Sequence, residues 1–197
     1  VDVSKALEHP IGIHCHNDSE LGVSYTLAGV RAGAIQVQGT INGYGERCGN
    51  VNLISVMANL ELKMGHQCLP KGNIQHLYDL SHFVAEVANI TPDEHLPFVG
   101  KSAFAHKGGV HVAAMRRSAQ SYQHVDPALV GNKMRVVVSD LSGRGNLLSK
   151  AEEHGVEVEG EEVVGVLNDI KELEARGFSF EAAEASVAMT MKRQQAG

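Results

Sequence analysis

Apolar and polar positions over residues 10–65 switch between two periods. PIGIH (10–14) is a short apolar run, and AIQVQG (34–39) sets Ile35 and Val37 against Gln36 and Gln38, the two-residue repeat of a strand. Each run is followed by helical spacing. One helix is predicted from about Ser19 to Ala32, stopped by Gly33, with Asn17 and Asp18 offering capping oxygens. The other runs through VNLISVMANLELKM to Gly65, with Asn50 as its expected N-cap. Strand, helix, strand, helix with connections this short implies parallel strands and a right-handed crossover. Two such units cannot cover both faces of a parallel sheet, so the segment reads as the tail of a larger α/β barrel.

Past Gly65 the pattern turns mostly helical. A helix is expected around Ile74–Ala88, then the turn TPDEHLP, a short helix after the pair Gly108 and Gly109, and a β-branched run at 134–138. Three helices follow at about Asn146–His154, Glu161–Arg176 and Phe180–Gln194. In the second of these, Val163, Val164, Leu167, Ile170 and Leu173 fall on one stripe, as a helix buried along one side requires.

Composition narrows the function classes. At 197 residues and 43% hydrophobic, the chain has material for one substantial core or two small ones. A formal charge of -6 supplies no basic field for nucleic acid or anionic lipid. The chain shows no membrane-spanning apolar run and no presequence, so a cytoplasmic location is expected. Cys15, Cys48 and Cys68 are too few and too widely spaced for a disulfide framework or a CxxC site. The chain opens on Val without an initiator Met, as a piece of a longer protein would.

Chemistry is concentrated at the ends of the two predicted strands. His14 and His16 flank Cys15, and the strand period puts both imidazoles on one face, where they could chelate one ion, while Cys15 points to the core. With 11 histidines in the chain, position matters more than spacing. This pair sits at the C-terminal end of a parallel strand, the rim where α/β enzymes build their sites. The second strand ends at the same rim in Gly39 and then TINGYGERCGN, which carries Gly43, Gly45 and Gly49 beside Glu46, Arg47 and Asn50. A solvated ion pair and a helix cap account for the polar residues. They do not account for the density of glycine, which costs chain entropy and marks close backbone approach.

The stretch GIHCHNDSELGVSYTLAGVRAGAIQVQGTINGYGERCGNVNL resembles the last two barrel strands of the acyl-CoA condensing synthases: 2-isopropylmalate, homocitrate and citramalate synthase. The HxH followed by NGxGERxGN is specific, and hydroxymethylglutaryl-CoA lyase and its kin carry a different glycine-rich loop. The resemblance continues through AFAHKGGVHVAAMRR, SYQHVDPALVGN and FSFEAAEAS, and HKGGVH with DPALVGN and VSDLSGRGN looks closest to the citramalate branch. It implies an α/β fold: the last two βα units of a TIM barrel at 1–66, then a mostly helical C-terminal subdomain region at 67–197 that covers the partner's site in a homodimer. It further implies that His14, His16 and Asn50 are ligands of a divalent metal (Mg, Mn or Zn). His111 would be the catalytic histidine, with Tyr122 near the reacting centre. The implied reaction joins acetyl-CoA to a 2-oxo acid, pyruvate in the citramalate branch, with neither nucleic acid nor membrane as a partner. 2-Isopropylmalate and homocitrate synthase are the nearest alternatives.

The family's first strand carries an Asp-Arg-Glu motif that supplies a metal-ligating carboxylate and an arginine for the oxo acid, and nothing in these 197 residues matches it. Arg47 belongs to a different loop. Two readings of other classes stand beside the synthase: a noncatalytic dimerising or regulatory remnant, and an HxH hydrolase, which would need its pair on the first barrel strand. The 197-residue chain by itself is expected to show no turnover with pyruvate and acetyl-CoA. A coupled thiol-release assay reads this directly, and measurable release contradicts it.

Overall fold

The computed structural model describes residues 2–106, 114, 118, 123–139, 142–158, 160–180 and 183–195. The chain folds as two compact units, residues 1–103 with 125–133 and residues 104–124 with 134–197.

In the first unit, a short helix α1 (Asp2–Ala6) precedes β1 (Gly12–His14), α2 (Gly22–Arg31), β2 (Gln36–Gln38), α3 (Leu53–Lys63) and α4 (Leu77–Val87). The strands pair in parallel as the sequence pattern requires, with Gly12 opposite Gln36, Ile13 opposite Val37 and His14 opposite Gln38. Both are three residues long, shorter than the apolar runs that predict them. Helix α2 starts three residues later than expected. Asn17 nevertheless serves its N-terminus, accepting a hydrogen bond at 3.1 Å from the Gly22 amide, whereas Asp18 is used elsewhere. The core of this unit is built around Val51, Val56 and Leu60, with Cys15, Val23, Leu27 and Val37 packed against them. Cys15 is therefore packed, partly buried, against the core.

The N-cap of α3 differs from the expectation. Asn52 caps the helix, its side chain accepting from the Ile54 amide at 3.0 Å, and Asn50 does not. The reason lies in the segment before the helix, which does not enter α3 directly. Asn50 bridges antiparallel to His16 and Asn52 bridges parallel to Thr40, so two more residues are drawn alongside the strand ends before the helical turn begins. A single 3-10 turn at Asn73–His76 leads into α4, where one continuous helix from Ile74 was expected.

The second unit pairs β3 (Ala105–His106) in parallel with β4 (Arg135–Val136) and adds α5 (Arg144–His154), α6 (Glu161–Ala175) and α7 (Glu184–Gln195). Val163, Leu167 and Ile170 of the expected stripe form its core together with Val166, which is not among the expected positions, against Leu147 of α5 and Met191 of α7, with Leu173 partly buried beside them. Val164 is the exception, at 40% exposed. The chain leaves α5 through Gly155 at a φ of 61°, and the Val156 amide returns to the Ala151 carbonyl at 2.9 Å. The short helix predicted after Gly108 and Gly109 lies outside the described residues. Among the described residues no helix is long and apolar enough to cross a membrane.

The two asparagines beside α3 are distinguishable by experiment. Asn52→Ala is expected to lower unfolding stability by about 1 kcal/mol through loss of the cap, read as a shift of the denaturation midpoint.

Candidate functional site at the rim of the first parallel pair

The C-terminal end of β1 is where three of the sequence-predicted residues, His14, His16 and Asn50, come together. Past His14 the strand pairing with β2 ends, and the chain is taken over by the glycine-rich loop. The Asn17 amide donates to the Gly49 carbonyl at 2.9 Å and the Val51 amide donates to the Cys15 carbonyl at 2.9 Å. His16 thus lies directly across from Asn50. The two imidazoles stand edge to face with their centroids 5.2 Å apart.

A metal–nitrogen bond of about 2.1 Å puts a ring centroid roughly 3.2 Å from an ion, so imidazoles sharing one at ordinary coordination angles have centroids roughly 4.5–5.2 Å apart. The observed separation lies at the upper end of that range. His14 is exposed and His16 half-buried, and the Nδ1 atom of His16 is buried with no hydrogen-bond partner. A buried imidazole nitrogen left unpaired is costly, and an ion or an ordered water is the usual resolution. These residues fit a divalent cation as part of a ligand set. They do not complete one: among the described residues no group of three or more His, Cys, Asp or Glu side chains could hold an ion.

The glycines of the loop are explained by its closeness to Asn50. A Cβ on Gly45 would overlap the Asn50 carboxamide. Gly49 sits at a φ of 88°, and a Cβ there would overlap the Gly43 carbonyl oxygen. The Asn50 amide nitrogen donates to the Tyr44 carbonyl at 3.1 Å, and the Thr40 hydroxyl donates to the same oxygen at 2.6 Å. With its Nδ2 donating to Tyr44, Asn50 has a carboxamide oxygen that carries no hydrogen bond among the described residues and could serve a ligand.

Two features of the rim escape a reading of the sequence. Arg47, at a φ of 56°, keeps only a long contact with its neighbour Glu46, at 3.9 Å. It instead grips Asp18 with two bonds, Nε to Oδ1 at 2.6 Å and a terminal nitrogen to Oδ2 at 3.0 Å. The fork–fork pair ties together the loops that follow β1 and β2. Asn42, Tyr44 and Ser81 form a second link between the loop and α4, described below. No local signal announces either, because the partners are 29 and 39 residues apart. His111 and Tyr122 lie outside the described residues.

Comparison with known proteins bears on this arrangement. An HMGL-like family model matches residues 2–84, and a homocitrate synthase post-HMGL domain-like model matches residues 98–177. (R)-Citramalate synthase of Geobacter sulfurreducens is 53% identical over 194 residues, 98% of this chain and 37% of that protein. The (R)-citramalate synthase of Aquifex aeolicus is 51% identical over 185 residues, 93% of this chain and 35% of its own length. The chain belongs to the citramalate, 2-isopropylmalate and homocitrate synthase family. More distant members include the homocitrate synthase AksA of Methanopyrus kandleri, 39% identical over 171 residues, 87% of this chain and 43% of that protein. HMGL-like domains are TIM barrels, so membership also fixes the fold class of the first unit's family. The chain spans a little over a third of the length of the citramalate synthases it matches.

The Asp18–Arg47 pair makes a pH-dependent contribution. The Arg47 guanidinium hydrogen-bonded to Asp18 holds its carboxyl below the ordinary value of 3.8. A carboxyl depressed in the folded state stabilises above its unfolded pKa, and the contribution is lost as pH falls through the folded value. The stability difference between wild type and Asp18→Asn is therefore expected to be constant from neutrality down to about pH 5 and to vanish at more acidic pH. Denaturation profiles across pH 2–7 measure it, and a difference that grows on acidification contradicts the assignment.

Proposed function

We propose that this chain is part of a metal-dependent acyl-CoA:2-oxo acid synthase that condenses acetyl-CoA with pyruvate to give citramalate. The observation that carries the reading is the convergence of His14, His16 and Asn50 on one strand end, in a chain whose relatives named (R)-citramalate synthase reach 53% identity. Residues 1–66 act in this reading as the last two βα units of the barrel, and residues 67–197 as the helical subdomains that cover the partner's site in a homodimer.

The roles follow from residue chemistry. A divalent cation (Mg, Mn or Zn) held by the two imidazoles and the Asn50 carboxamide would supply Lewis acidity at the keto oxygen of the 2-oxo acid. His111 would take a proton from the thioester methyl, since imidazole is the side chain whose unperturbed pKa lies nearest neutrality. The carbon so exposed attacks the keto carbon, a carbon–carbon bond forms, and the keto oxygen takes up a proton. Tyr122 donates to the oxygen that gains charge. Hydrolysis of the thioester then releases the CoA thiol and leaves a second carboxylate. The Asp18–Arg47 clamp keeps the two loops at a fixed spacing, which holds Asn50 beside His16.

Substrate choice tests the branch. Assayed as the complete gene product with pyruvate, 2-oxoisovalerate and 2-oxoglutarate, the enzyme is expected to show its highest kcat/KM with pyruvate. A preference for 2-oxoisovalerate or 2-oxoglutarate moves the reading to 2-isopropylmalate or homocitrate synthesis. His14→Ala and His16→Ala, made separately, are each expected to lower bound metal and to reduce kcat by about 100-fold or more, given the several kcal/mol a Lewis acid contributes. Full metal content in either variant removes that histidine from the ligand set.

A further inference from the structure

Helix α4 reaches the rim through one buried side chain. Ser81 is 3% exposed. Its hydroxyl donates to Asn42 Oδ1 at 2.6 Å, and Asn42 Nδ2 donates back to the Ser81 carbonyl at 2.8 Å. The same Nδ2 lies 3.4 Å from the Tyr44 hydroxyl. Asn42 is held at a φ of 61° and ψ of 6°, a left-handed conformation that asparagine tolerates and most residues avoid. Two residues further on is the Tyr44 carbonyl, which receives the Thr40 hydroxyl and the Asn50 amide nitrogen. A continuous path of hydrogen bonds and two peptide units thus runs from α4 to the carboxamide of Asn50.

We propose that Ser81 and Asn42 are positioning residues: their reciprocal hydrogen bonds fix the start of the 41–50 loop so that Asn50 presents its carboxamide oxygen to a divalent cation beside His16. This rests on the reading of Asn50 as a ligand given above. Neither residue belongs to the ligand set. An apolar residue at position 81 would fill the space as well, but it would strip Asn42 Oδ1 of its partner and loosen the turn that sets where the Tyr44 carbonyl stands. Groups that hydrogen-bond a metal ligand directly are worth about 10–100-fold in metal affinity, and Ser81 and Asn42, which act through the Tyr44 carbonyl, belong at the low end of that range.

The test separates positioning from simple structural support. Manganous ion is titrated by EPR into the complete gene product carrying Ser81→Ala, Asn50→Ala, or both, with thermal midpoints recorded in parallel. Ser81→Ala alone is expected to weaken binding about 10-fold. In the Asn50→Ala background it is expected to add no more than about twofold, because its effect passes through Asn50. Asn42→Gly, which keeps the left-handed backbone and removes the carboxamide, must reproduce the Ser81→Ala result, and it carries the test if that variant fails to fold. Equal weakening by Ser81→Ala in both backgrounds overturns the proposal, as does unchanged affinity in folded Ser81→Ala or Asn42→Gly. Unchanged affinity in Asn50→Ala overturns the ligand reading itself and this proposal with it, a result distinguishable because it requires no change at position 81.

Discussion

The rim depends on two main-chain hydrogen bonds, from Asn17 to Gly49 and from Val51 to Cys15. They continue the pairing of β1 after β2 has parted from it, and they place Asn50 across from His16. Each amide involved would be left without a partner if the loop swung out, and an unpaired buried backbone group costs about as much as a lost hydrogen bond. The loop therefore stays against the strand end by backbone chemistry that any sequence able to take the path would share. Its side chains are free for other work.

Taking that path requires glycine where the backbone doubles back. The overlap that a Cβ on Gly49 would make with the Gly43 carbonyl, and one on Gly45 with the Asn50 carboxamide, explains why a loop so short has little room for other residues. Stiffness is then restored from outside by the Asp18–Arg47 pair and the Asn42–Ser81 pair, which bind the loop to its two neighbours. The first is half exposed and screened by solvent. The second is shielded by the burial of Ser81 and is worth more per bond for that reason. Rigid placement matters here because ligand geometry tolerates only a few tenths of an ångström.

Much of the architecture could be read from residue order. The parallel pairing of β1 with β2, the adjacency of His14 and His16, the packing of Cys15 against the core and most of the buried stripe of α6 all follow from the two- and 3.6-residue periods. The N-cap of α3 did not. Asn50 and Asn52 are equally good capping residues by type, and the choice between them turns on strand-like bridges to His16 and Thr40.

Sequence alone determined what depends on near neighbours: which residues share a face, where a helix must stop for want of a side chain, and which motif pairs an HxH with a glycine-rich loop. Tertiary structure decided what depends on chain closure. Arg47 has Glu46 beside it in sequence yet binds Asp18, and Ser81 meets Asn42, because the fold brings those partners within hydrogen-bond reach at geometries that short-range order cannot encode. A hydrogen bond is decided by distance and angle, and between residues 29 or 39 positions apart both are set by the packing of the elements that carry them.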